Sequence, residues 1–209
     1  MIEPNKVEYF FHLCGDFLTS SNVTLNEMIV MHHEGLYSAK NRVTDYWLLE
    51  YVRDGILLNN VQMYDEKPWQ VGSDGIGCAE VQQRFMWVED RMPFRSQIAT
   101  YLHEYAHILQ YENDRMPDPV RNPPSTYEAS SIRRSSQEMT VETAAMLMCK
   151  LLGLEDSNTH MAYVSGHLYQ KARWGDPSIP CNYVSDVLSL VQEITTNLNL
   201  YPKLVNKEV

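Results

Sequence analysis

The chain has 209 residues, 17 Lys+Arg against 27 Asp+Glu, a formal charge of -10, 44% hydrophobic residues and 21% charged residues. This is the composition of an ordinary globular chain, long enough for one domain or a core with an appended subdomain. The acidic balance argues against coating nucleic acid or an anionic membrane surface, because both require a basic face.

The imbalance is uneven. Residues 1–90 hold 6 Lys+Arg and 14 Asp+Glu, whereas the remainder holds 11 and 13. Any phosphate-tracking surface would therefore have to come from the C-terminal part. The chain opens without a basic and then apolar leader, and no apolar run nears the ~20 residues of a membrane span. Cys14, Cys78, Cys149 and Cys181 are widely spaced and form no Cys-x-x-Cys pair. These features predict a cytoplasmic protein with reduced thiols and no membrane partner. The one glycosylation sequon, Asn22-Val23-Thr24, is read as chance.

In chain order, Val7, Phe10, Phe11, Cys14, Phe17 and Leu18 form one apolar stripe and predict a helix over 6–18. Thr24 and Glu27 have capping-box spacing and open a helix over 25–39. A third helix is predicted from Asp45 to about Leu57, weakened at its end by Gly55. Residues 59–77 read as turns, with Asn59-Asn60, Pro68, Gly72, Gly75 and Gly77. Residues 78–88 read as one strand or two short ones, closed by Pro93.

Helical spacing returns at 95–111, where Ile98, Leu102, Tyr105 and Leu109 make one buried stripe. Residues 113–134, with prolines at 117, 119, 123 and 124, read as a long loop of the kind that forms functional lids. Ser136 to Leu152 reads as a strong helix closed by Gly153. Two further helices are predicted at 158–173 and 183–198. The expected class is α+β, mainly α, with a helical region at 1–77 packed on a core at 78–209.

His103-Glu104-Tyr105-Ala106-His107 lies inside the 95–111 helix. Positions i and i+4 share a helix face, so both imidazoles can reach one metal ion, and Glu104 lies beside that face as an acid/base. The pattern is expected by chance about 0.02 times in a chain of this composition. Zinc suits the nitrogen donors, and three protein ligands leave a position for water.

The third ligand is sought among buried carboxylates. Glu142 lies in the apolar run Val141 to Cys149, where an unpaired carboxylate is costly. Glu138, one turn earlier on the same face, is the alternative: it either takes Glu142's place or supports a ligand histidine. Tyr163, His160, His167 and Arg133 are candidates for stabilising an oxyanion. Arg115, Arg121, Arg133 and Arg134 could grip an anion, and His32-His33 reads as surface.

The stretch Met92-Pro93-Phe94 with Ala99-Thr100-Tyr101-Leu102-His103-Glu104-Tyr105-Ala106-His107 resembles the active helix of the zincin domain in ArdC-type antirestriction proteins. Gln137-Glu138-Met139-Thr140-Val141-Glu142-Thr143-Ala144-Ala145 through Leu152-Gly153-Leu154 is similar to that family's E-E-x-V-A-E-x-x-A helix. Ala162-Tyr163-Val164-Ser165 is similar to its A-Y-I segment. A broader likeness to ImmA/IrrE-like zinc peptidases is compatible with the same residues.

The resemblance spans roughly 85–170. It implies a zincin-like fold, Zn2+ held by His103, His107 and Glu142, and Glu104 as the catalytic residue. It implies a protein or peptide substrate and a phage or plasmid antirestriction or regulatory setting. The sequence departs from the family at His167, where a tryptophan is expected, and in residues 1–84, which show no recognisable DNA-binding region. Two other readings compete with the peptidase: a catalytically silent, metal-stabilised protein that blocks a host defence factor, and a nucleic-acid-binding protein. The charge distribution opposes the second of these.

Overall fold

The computed structural model describes residues 41–69, 71, 75–112, 127–154 and 157–200. The helices expected at 6–18 and 25–39, the His32-His33 pair and most of the proline-rich stretch lie outside the described residues. Helix α1 (Asn41–Leu58) begins four residues before the expected start. It turns Leu48, Leu49, Val52 and Ile56 into the core.

Gly55 stays helical, and its missing side chain admits Leu198, whose Cδ2 would lie 3.0 Å from a Cβ there. The helix is closed by Asn59, whose side-chain amide donates to the carbonyls of Gly55 and Asn197, each at 2.8 Å. Asn60 then takes the left-handed conformation, with φ 59°.

The turn-rich segment hides a two-residue strand, β1 (Gln62–Met63), that the turn residues masked in the sequence. The strand stretch does divide in two. β2 (Gly77–Glu80) pairs antiparallel with β3 (Phe85–Val88), and β1 pairs parallel with β3. The order is β1-β3-β2, which leaves β2 at an edge.

Helix α2 (Phe94–Glu112) starts just after Pro93, whose carbonyl accepts the Gln97 amide. Proline suits a helix start because no amide is needed there. Ile98, Leu102, Tyr105 and Leu109 are buried, as their spacing requires.

Helix α3 (Tyr127–Leu151) corrects the expected loop boundary: it begins nine residues before Ser136. The last proline is Pro124, and nothing from Tyr127 onward breaks a helix. The polar composition of 127–134 suggested a loop, yet Glu, Ala and Arg are good helix formers. The far end matches expectation. Gly153 has φ 72°, and the Leu154 amide returns to the Cys149 carbonyl at 2.8 Å.

Helices α4 (Ser157–Arg173) and α5 (Tyr183–Asn197) follow. α3 packs most extensively on α4 and also on α2 and α5. Val141, Ala144, Ala145 and Met148 of α3 share one hydrophobic core with α1, α2, β3 and α5. The described residues are thus mainly helical with one small sheet. Among them no helix is long and apolar enough to cross a membrane.

Candidate metal centre

Three side chains meet at the seam between α2 and α3. The Nε2 atoms of His103 and His107 lie 3.1 Å apart, with their rings edge-on. Glu138 Oε2 lies 3.6 Å from His103 Nε2 and 3.4 Å from His107 Nε2. These three atoms form the group of potential metal ligands found among the described residues. Donors 2.0–2.1 Å from a tetrahedral zinc ion are separated by about 3.3 Å, so the three spacings fit such an ion.

Glu142 approaches His103 from the other ring nitrogen. Its Oε2 lies 2.7 Å from His103 Nδ1, on the other side of the ring. A proton on Nδ1 donated to Glu142 leaves the Nε2 lone pair facing His107 and Glu138. One turn of helix therefore separates a carboxylate that converges with the imidazole nitrogens from one that orients a ring.

Burial and pairing set the electrostatics. Desolvation raises the Glu104 carboxyl above its ordinary range, and the nearby His103 and His107 only partly oppose it. For His103, burial favours the neutral ring. Hydrogen bonds to Glu138 and Glu142 outweigh it and hold the pKa at about 10 among these side chains alone. Burial would raise Glu138, but its contacts with both imidazoles bring it well below the usual carboxylate range. Carboxylates at both ring nitrogens thus favour the protonated form of His103.

The centre opens into a cavity of about 710 Å³. One wall is the α2 stripe Ser96, Ala99, Thr100, His103, Glu104 and His107; another is the α3 stripe Arg134, Glu138, Glu142 and Cys149. Gly77, Cys78 and Ala79 of the edge strand β2 complete it.

Gly77 explains how strand and helix come so close. A Cβ there would sit 2.4 Å from Thr100 Cγ2 and 2.8 Å from Glu104 Oε1. The sequence marked Gly77 only as a turn residue, since its partners lie more than twenty positions away.

The remaining candidates divide. Tyr163 lines the cavity from α4 and is 56% exposed. His167, one turn further along α4, is half-buried, and burial lowers its pKa against the pull of Glu138 and Glu142. It is thus within electrostatic reach of the centre but outside the cavity lining. Arg134 lines the cavity, whereas Arg133 does not. The side chain of His160 and residues Arg115 and Arg121 lie outside the described set. Comparisons with protein-family models, curated proteins and solved structures return no significant match.

Proposed function

We propose that the chain is a zinc-dependent peptidase of zincin type, with His103, His107 and Glu138 as metal ligands. Glu142 orients His103, and Glu104 is the acid/base. The observation that carries this reading is the triangle of donor atoms with sides of 3.1, 3.4 and 3.6 Å. Zinc in such a site supplies Lewis acidity and an activated water.

The protein's own work is done by Glu104. Its buried carboxylate, with an affinity for protons raised by desolvation, accepts a proton from the attacking water. It then hands that proton to the departing amine. A carboxylate with an ordinary pKa would be a poorer base near neutral pH. Gly77 lets β2 close over this group without displacing it.

A peptide substrate is supported by the edge strand. β2 is paired with β3 on one side, and residues 77–79 line the cavity on the other. An extended peptide can hydrogen-bond to such an edge. Tyr163, which lines the same cavity from α4, is the candidate hydroxyl for a developing oxyanion.

The test is metal analysis combined with turnover on an unbiased peptide library. Wild type and Glu104→Gln should each carry one zinc per chain. The variant should lose hydrolysis by about 10²–10⁴-fold. Purified, unchelated protein without zinc would overturn the reading. Zinc with no hydrolysis in wild type would favour the silent binding protein instead.

A further inference from the structure

We propose that Arg134 selects the substrate by pairing with a carboxylate carried within about two residues of the scissile bond; this rests on the peptidase reading above. Apart from the two histidines, the cationic side chains in the cavity lining, among the described residues, are Arg95 and Arg134. They differ in what already holds them. Arg95 makes a two-pronged contact with Asp45, at 2.7 and 3.2 Å, and that carboxylate is only 16% exposed. Its charge is neutralised within the fold.

Arg134 is 82% exposed, and its ion pair with Glu138 is a single contact from Nε to Oε1 at 3.7 Å. An exposed pair of this i,i+4 kind holds a guanidinium weakly. The other oxygen of Glu138 faces the two imidazoles. A cation held there draws the carboxylate's charge away from Arg134 and loosens the pair further.

Reach and surroundings then decide the ligand. Following Glu138 from Oε1 to Oε2 and on to His107, the Arg134 Nε lies no more than about 9 Å from the metal-facing nitrogen. An extended peptide advances ~3.3 Å per residue, so the guanidinium stands beside a residue next to, or one beyond, the bond at the centre.

Ile76, Val81, Met92 and Leu154 of the lining offer no polar partner to a carboxylate. Glu104, Glu138 and Glu142 repel one. Among the described residues of the lining, an acidic side chain or a terminal carboxylate finds an exposed cationic partner at the Arg134 end. The fork of a guanidinium binds it in two-pronged fashion.

The experiment titrates zinc-loaded protein by calorimetry with two pairs of dipeptide hydroxamates. One pair carries the chelating group at the amino end and the other at the carboxyl end. Within each pair the members differ only in Asp against Asn. In one pair the Asp member should bind about tenfold tighter. That preference should shrink at high salt, fall below about twofold in Arg134→Gln and survive in part in Arg134→Lys, with zinc content unchanged.

Equal affinity within both pairs, or a preference that persists in Arg134→Gln, overturns the assignment to Arg134 while leaving the zinc site intact. Failure to take up zinc, or to bind any hydroxamate, overturns the peptidase reading and this proposal together.

Discussion

At the end of α4 the Lys171 ammonium is buried; it donates to the Ser178 carbonyl at 2.8 Å and pairs with Asp176 at 3.3 Å. At the seam of α2 and α3, Glu104, Glu138 and Glu142 gather around His103 and His107. Both regions take charge out of water, which is costly unless it is compensated. The first is balanced: one cation, one anion and one carbonyl close on each other, and neither Lys171 nor Asp176 lines the cavity.

The second region is unbalanced. Three carboxylates outnumber two imidazoles, the donor atoms converge on a point, and the group forms the wall of a cavity. A closed charge set staples a loop to a helix. An open one of the wrong sign has the donor set that a cation would need.

The largest effect that would break this contrast is at Glu138 and Glu142, side chains one turn apart with different expected roles. On the proposed assignment, Glu142→Gln leaves the ligand set whole and should weaken zinc binding about 10–100-fold through misorientation of His103. Glu138→Gln would remove a proposed ligand and should cost more than that. Competition titration against a chelator of known affinity measures both. Equal losses, or a reversed order, would return the ligand role to Glu142.

A pH series sharpens the same contrast. With the His103 pKa raised to about 10 by its carboxylate partners, the ring acts as a proton trap in the neutral range, and a bound metal would have to displace that proton. Zinc affinity should therefore rise about tenfold per pH unit from 6 to 8, as expected for one displaced proton. An ordinary imidazole, with a pKa near 6.5, would level off above neutrality. A plateau between pH 7 and 8 in the chelator competition would contradict the proton trap.

The smallest expected effect is at the balanced region. Lys171→Met removes a charge-assisted contact and should lower stability by about 2 kcal/mol in chemical denaturation. Zinc affinity should remain within twofold of wild type. A large loss of zinc would mean that the two regions are coupled and that the distinction between staple and site is wrong.

Much of the fold was legible because the signals are local. The stripe of Ile98, Leu102, Tyr105 and Leu109 predicted α2 and its buried face. Gly153 predicted the end of α3 to within one residue. Two features were missed for the same reason, that their cause lies elsewhere in the chain. β1 is a strand only because β3 offers its carbonyl and amide groups beside it. The first turns of α3 look like a polar loop until the helix behind them is anchored on α2 and α4.

The site divides along the same line. The sequence alone determined that His103 and His107 share a face and that Glu104 flanks it, because an i,i+4 spacing is decided within one helix. It also narrowed the remaining acid to two positions on one face of α3. Only the tertiary structure decided which carboxylate faces the two Nε2 atoms and which faces Nδ1 of His103.

That choice depends on how α3 is rotated and how deeply it sits against α2. Both are set by Val141, Ala144, Ala145 and Met148 as they pack into a core shared with α1 and α5. The same docking brings Gly77 against Glu104 and puts Arg134 at the rim. Spacing along a helix is a property of the chain, whereas distance between two helices is a property of everything packed around them.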